Sequence, residues 1–250
     1  MKRSAVCILN DEFEWKKSKS EKTRDERLDD FKAWCIERKI EIATSVKFDT
    51  NCIAGHGLRA IADINEGDEL VRIPRAATIY HSTRLEKAFK RSVDIRDHRW
   101  ISVILSMMVE WGRNDSVWTP YIDWLPDVGE LADLPHNWSG QHVALRKLLG
   151  LDEQVTDDTD RIKADWERVL PFVKKNLDLF LLEESELEPL FYHCALLMMC
   201  YSFTDPQEEE ESDDGFCTEK VTKEDPIRFM LPVGDLLNHT LDNNAQIEFE

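Results

Sequence analysis

The sequence has 250 residues, 42% of them hydrophobic and 33% charged, enough for a substantial core in one domain with an insert or in two small domains. Its net charge of −18 opposes the phosphates of nucleic acids and anionic membranes, so neither is expected as a partner, whereas a basic, lysine-rich protein would be attracted. The six cysteines (Cys7, Cys35, Cys52, Cys194, Cys200 and Cys217) form no Cys-x-x-Cys pair, the N-terminus lacks a secretory pattern, and no apolar run reaches the ~20 residues that span a bilayer. A zinc knuckle, a disulfide framework and a membrane anchor are therefore not expected, and the reading is intracellular, in the cytosol or the nucleus.

Residues 1–23, rich in Lys, Ser and Glu, read as a frayed flank in which only Val6 to Leu9 resembles a pairing segment. From Arg24, the spacing of Leu28, Phe31 and Cys35 predicts a helix packed on the domain from outside. Ser45 to Ala60 reads as a hairpin centred on Ala54-Gly55-His56-Gly57-Leu58. Two glycines one residue apart permit a positive-φ turn and close approach of main-chain amides to a ligand. This is no dinucleotide fingerprint, because the third glycine and the following helix are missing. Ile61 to Ile64 and Leu70 to Ile73, about Glu66-Gly67-Asp68, predict a second strand pair closed by Pro74.

Glu86 to Arg91 predicts a short helix, and His98 to Trp111 a longer one that is apolar nearly all round and hence buried. Trp100, at its start, is the member expected to face a cleft. Past Val117 to Pro126 the pattern is helical: His136 to Leu149 capped by Asn137 or Ser139, Asp160 to Leu179 interrupted at Pro171, and Ser185 to Phe203. In the last, Leu187, Leu190, Phe191, Cys194, Leu197, Met198 and Tyr201 make a core stripe, and the Tyr201 hydroxyl needs a partner, protein or ligand. Glu208 to Asp214, six acidic residues in seven, reads as a disordered surface loop.

Ile227, Phe229 and Leu231 alternate as a strand, Pro232 ends it, and Asp235 to Leu237 leave room for one helical turn, with Asp235 capping Leu236 and Leu237. Asn238 and His239 follow, flanked by Asp242, Asn243 and Asn244, before Ala245, Ile247 and Phe249 alternate again as a second strand. On chemistry alone this is a polar turn whose donors and acceptors must be satisfied or given to a ligand. The order of strands, helices, acidic loop and strands gives an α+β fold, a β fold interrupted by a helical insert. Its parts are a flank over 1–44, a first β part over 45–96, the insert over 97–226 and the start of a second β part over 227–250.

The set Ala54-Gly55-His56-Gly57-Leu58-Arg59-Ala60, Gly67-Asp68-Glu69-Leu70 with Ile73-Pro74, Trp118-x-Pro120-Tyr121 through Leu125-Pro126, Tyr201-Ser202-Phe203 and Asp235-Leu236-Leu237-Asn238-His239 resembles the SET-domain protein lysine methyltransferases. It looks most like the class with a helical insert that includes the Rubisco methyltransferase and its animal and fungal relatives. The resemblance implies a knotted SET-domain β fold and S-adenosylmethionine as cofactor. It assigns cofactor contacts to Ala54, Gly55, His56, Tyr201, Asn238 and His239, with Gly57 keeping the turn tight, and substrate contacts to Trp100 and Ser202. The reaction implied is direct, metal-free methyl transfer to a lysine of a protein substrate, nuclear, chromatin-associated or ribosomal. Two residues depart from the pattern: His56 replaces an aromatic residue or Arg, and Gly234 stands where Ala is usual. The resemblance also implies a later segment carrying a catalytic tyrosine, beyond residue 250, so the second β part is expected to be truncated. Two further readings compete: a non-catalytic SET-like interaction module or inactive fragment, and a metal-dependent hydrolase using Asp235, His239 and Asp242, for which no His-x-x-x-His spacing speaks.

Overall fold

The computed structural model describes residues 22–52, 55–205, 227–238, 240 and 242–249. The flanking stretch Val6 to Leu9 and the acidic run Glu208 to Asp214 lie outside them. Helix α1 (Arg24–Glu37) starts with a capping box, in which Thr23 accepts from the Glu26 amide and the Glu26 carboxylate accepts from Thr23. Its apolar face is not a peripheral one. Phe31 is 0% exposed, stacked on Trp34 and Trp124, so this helix contributes to the core and does not merely lean on it.

After β1 (Glu41–Ile42), the strands β2 (Val46–Cys52) and β3 (Gly55–Ala60) form the expected antiparallel hairpin, with Phe48 opposite Leu58 and Asp49 opposite Gly57. The register shifts between Asp49 and Cys52, and the bulge brings Cys52 opposite Gly55. The second expected hairpin does not form. Ile61 and Ile64 stay exposed outside any strand, and β4 (Val71–Arg72) pairs instead with β1, whose Ile42 faces Val71. A turn at Glu66-Gly67-Asp68 is present, but ten polar-rich residues after β3 offer no apolar face to hold a partner strand.

The helical portion runs through α2 (Glu86–Phe89), α3 (Val93–Asp97), α4 (Arg99–Glu110), α5 (Thr119–Trp124), α6 (Gln141–Leu148), α7 (Asp152–Lys175) and α8 (Glu184–Tyr201). Helices α4 and α8 pack together at its centre; all residues from Ile101 through Glu110 are buried, as the all-round apolar pattern requires. Several boundaries differ from the sequence reading, among them the start of α7, at Asp152 and not Asp160. Helix α6 begins only at Gln141, because Pro135–Asn137 closes a 3₁₀ turn and Gly140, at φ 56°, breaks the run; neither Asn137 nor Ser139 caps it. Helix α7 continues through Pro171 without interruption. Proline removes one main-chain bond there, and burial of Val169, Phe172 and Val173 around it holds the helix together. Helix α8 stops at Tyr201, where Ser202 turns extended and starts a strand.

That strand, β5 (Ser202–Thr204), pairs antiparallel with β6 (Arg228–Met230), Ser202 facing Met230 and Thr204 facing Arg228. A single bridge from Ile79 to Met230 joins β6 to the first part of the chain. The second strand expected over Ala245 to Phe249 does not form among the described residues; 242–249 are in no helix or strand and mostly exposed, and Phe249 meets Phe229 edge to face. No helix among the described residues is long and apolar enough to cross a membrane.

Candidate functional site

The hairpin β2–β3 and the turn after β6 converge. Gly57 is buried in β3, and a Cβ placed on it would lie 2.9 Å from Cys52 Sγ and 3.2 Å from Asn238 Nδ2. Only a residue without a side chain lets the Asn238 amide come so close to the strand. Gly55, at φ +92°, opens the turn on its other side, where the nearest atom to a hypothetical Cβ is a terminal nitrogen of Arg24, 3.8 Å away. Gly57 and Asn238, far apart in sequence, thus meet, with Gly55 and His56 next to Gly57 in β3. Ala54 and His239 lie outside the described residues.

The turn that carries Asn238 is built under constraint. Val233 adopts φ 74°, which a β-branched residue rarely accepts, and the following 3₁₀ turn spans Gly234–Leu236. A Cβ on Gly234 would sit 2.5 Å from Leu231 Cδ2, so an alanine here would make the Leu231 side chain shift. Asp235 does not cap the turn. Its Oδ2 accepts a 2.7 Å hydrogen bond from the Tyr121 hydroxyl of α5, and Tyr121 is 0% exposed between Phe31 and Trp34.

Asp235 as a residue is half-buried, its Oδ1 is sealed from solvent, and besides Tyr121 the Val233 and Asp235 main chain lies near the carboxyl. Burial therefore pushes its carboxyl up from 3.8 to about 7, against the opposing pull of the Tyr121 hydrogen bond. The neighbours respond in kind: burial, reinforced by the Asp235 charge, raises the Tyr121 hydroxyl well above its usual range and the Cys35 thiol to about 12. Tyr201, at the end of α8, is raised to about 12 by burial first and then by Cys200 and Asp235. Tyr201 is thus tied electrostatically to the turn leading into Asn238.

Trp100 and Ser202 form a second group about β6. Trp100 is half-buried on α4, its indole Nε1–H is closed off without an acceptor, and the Arg228 guanidinium lies 5.6 Å above its ring. Ser202 opens β5, opposite Met230. Among the described residues no group of three or more His, Cys, Asp or Glu is arranged to hold a metal; Asp235 faces Tyr121, whereas Asp242 is exposed.

Two partners escaped the sequence reading. Tyr121 sits in an apolar run whose buried hydroxyl demands an acceptor, and that demand could have been noted. Arg24, whose Nε donates to His56 Nε2 across 32 residues, gives no local signal at all. His56, where the resemblance has an aromatic residue or Arg, also packs on Trp124 with ring centroids 4.0 Å apart.

No protein-family model matches the chain. In structure it is similar to the SET domain of LSMT bound to lysine and AdoHcy, with a TM-score of 0.67 and 20% identity, covering 89% of this chain and 45% of that one. It is likewise similar to Rubisco LSMT bound to AdoMet, with a TM-score of 0.63 and 22% identity over 86% of this chain and 45% of that one. The fold is therefore that of a SET domain, α+β and interrupted by helices. In sequence the chain is similar to the N-lysine methyltransferase setd6 of Danio rerio, 31% identical over 239 residues, covering 93% of this chain and 51% of that protein. The N-lysine methyltransferases SETD6 of Bos taurus (30% over 227 residues, 88% of this chain and 48% of that protein) and Homo sapiens (31% over 202 residues, 79% and 40%) agree. The chain is thus similar to the SETD6 N-lysine methyltransferases over most of its own length, and it spans about half the length of those proteins.

Proposed function

We propose that this chain carries the cofactor-binding part of an S-adenosylmethionine-dependent protein-lysine N-methyltransferase. The observation that supports it most is the meeting of the glycine turn with Asn238 inside a SET fold shared with lysine methyltransferases. The residues present suit that cofactor. Gly55 leaves main chain open to a polar ligand, and Asn238 brings an amide able both to donate and to accept. Tyr201, half-buried with its hydroxyl kept protonated, remains a donor. The chemistry supplied by the bound cofactor is an electrophilic methyl group on a sulfonium.

The protein's task is then to hold the substrate amine in line with that methyl group and to keep it unprotonated. A free lysine has a pKa near 10.4, and an apolar channel beside a positive charge lowers it by desolvation and repulsion. The half-buried Trp100, with Arg228 over its ring, adds both an apolar wall and a fixed cation near the proposed substrate path. Ser202 lies at the neighbouring start of β5. Positioning supplies the rest of the acceleration. The net charge of −18 favours a basic substrate, and we infer a lysine of a nuclear, chromatin-associated or ribosomal protein, with the nucleus as the principal location.

The test is transfer of tritiated methyl from S-adenosylmethionine to a mixture of histones and ribosomal proteins, followed by acid hydrolysis. Label recovered as methyllysine is expected. Cofactor binding with no label in lysine would instead favour the non-catalytic SET-like module.

A further inference from the structure

Arg24 stands at the first position of α1, ahead of the hairpin in the chain and outside every motif read from the sequence. It nonetheless reaches the glycine turn. Its Nε donates to His56 Nε2, and a terminal nitrogen of the same guanidinium is the nearest atom to the open face of Gly55, 3.8 Å from where a Cβ would be. His56 itself is pinned against Trp124, so the bond fixes the guanidinium plane instead of letting the side chain sweep through solvent. Among the described residues no carboxylate pairs with Arg24, although the chain holds 50 acidic residues against 32 basic ones. The two acidic residues of the same first turn are Asp25 and Glu26, and the Glu26 carboxylate is occupied by Thr23.

An oriented guanidinium with free terminal N–H groups, beside main chain exposed by a positive-φ glycine, is a receptor for a planar anion, most favourably a carboxylate. We infer that Arg24 is a cofactor-binding residue of this chain that takes the carboxylate at the amino-acid end of S-adenosylmethionine, with His56 as its positioning residue. The inference rests on the cofactor assignment proposed above. It also gives His56 a role: an imidazole nitrogen accepts from the guanidinium, which a purely aromatic residue at that position could not do. The adenosine end of the ligand would lie away from Arg24, so the arginine should discriminate ligands by their carboxylate alone.

The experiment compares wild type, Arg24→Ala and Arg24→Lys by calorimetric titration with two ligands: S-adenosylhomocysteine, and its decarboxylated analogue, which keeps the amine and lacks only the carboxylate. Loss of a charge-assisted pair at a partly exposed site is expected to weaken S-adenosylhomocysteine about tenfold in Arg24→Ala. The Lys variant should recover part of that loss, and the decarboxylated analogue should bind wild type and Arg24→Ala equally. The wild-type preference for the carboxylated ligand should also shrink as salt is raised. Arg24 is exposed at a helix start, so the variants should melt with the wild type, and melting curves establish that directly. Equal weakening of both ligands, or of neither, would overturn the assignment to the carboxylate while leaving the cofactor site intact. If wild type bound neither ligand, the cofactor reading would fail and this inference with it.

Discussion

Valine in place of Gly57 is expected to abolish binding of S-adenosylmethionine while leaving the fold in place. A Cβ here would meet Cys52 Sγ at 2.9 Å and Asn238 Nδ2 at 3.2 Å, and a branched side chain would extend further into one or both. Cys52 belongs to the bulged end of β2 and has little room to retreat, whereas Asn238 is exposed and can be pushed away. The cheaper response is displacement of Asn238, which separates the two segments that make the site. Alanine should act in the same direction more weakly, lowering affinity about tenfold or more. Pairing Gly57→Ala with Cys52→Ala removes the nearest of the three close atoms, Cys52 Sγ, and should restore part of the affinity, a coupling measurable by a double-mutant cycle. Additive losses would mean that the contact with Cys52 plays no part in the effect of the substitution.

Stability is expected to fall as pH rises from about 4 to 7, and the slope is expected to vanish in Asp235→Asn. The carboxyl of Asp235 is raised by burial from 3.8 to about 7, so the folded chain holds a proton that the unfolded chain has already released over this interval. The resulting stability is fully present below 3.8, is lost progressively up to about 7, and stays constant above. At about 1.4 kcal/mol per pH unit, the total is roughly 4 kcal/mol. Asp49, Asp158, Glu26 and Glu69 are shifted downward and oppose this trend, since their stabilisation is lost as pH falls. Glu26 and Glu69 are solvent-screened and Asp158 is buried, but the difference between wild type and Asp235→Asn cancels all four. Asparagine keeps an acceptor for the Tyr121 hydroxyl, so the variant should gain on the wild type by several kcal/mol between pH 4 and 7 in urea unfolding. Parallel stability curves would show that Asp235 is ionised in the folded chain at every pH tested.

The residues that sequence made legible are those with local chemistry. The glycine pair announced a turn that needs open main chain, the run from Ile101 to Met108 announced burial by lacking a polar face, and Asn238 announced a polar turn beside a strand. What escaped was set by tertiary packing. Val71 and Ile42 pair across 28 intervening residues although each stretch is two residues long, too short for any periodicity to register. Pro171 stays inside α7 because buried neighbours outweigh one lost bond, and Asp235 turns inward because Tyr121 waits there. The expected strand over Ala245 to Phe249 has the right alternation, but alternation makes a strand only where an edge receives it.

The measurement that tests the central claim most directly is calorimetric titration of this chain with S-adenosylmethionine, beside Asn238→Ala. The account predicts micromolar binding by the wild type and its loss in the variant, whose exposed side chain has no part in the core. Binding retained in Asn238→Ala would contradict a site built from the glycine turn and Asn238, and no binding by the wild type would contradict the cofactor assignment itself.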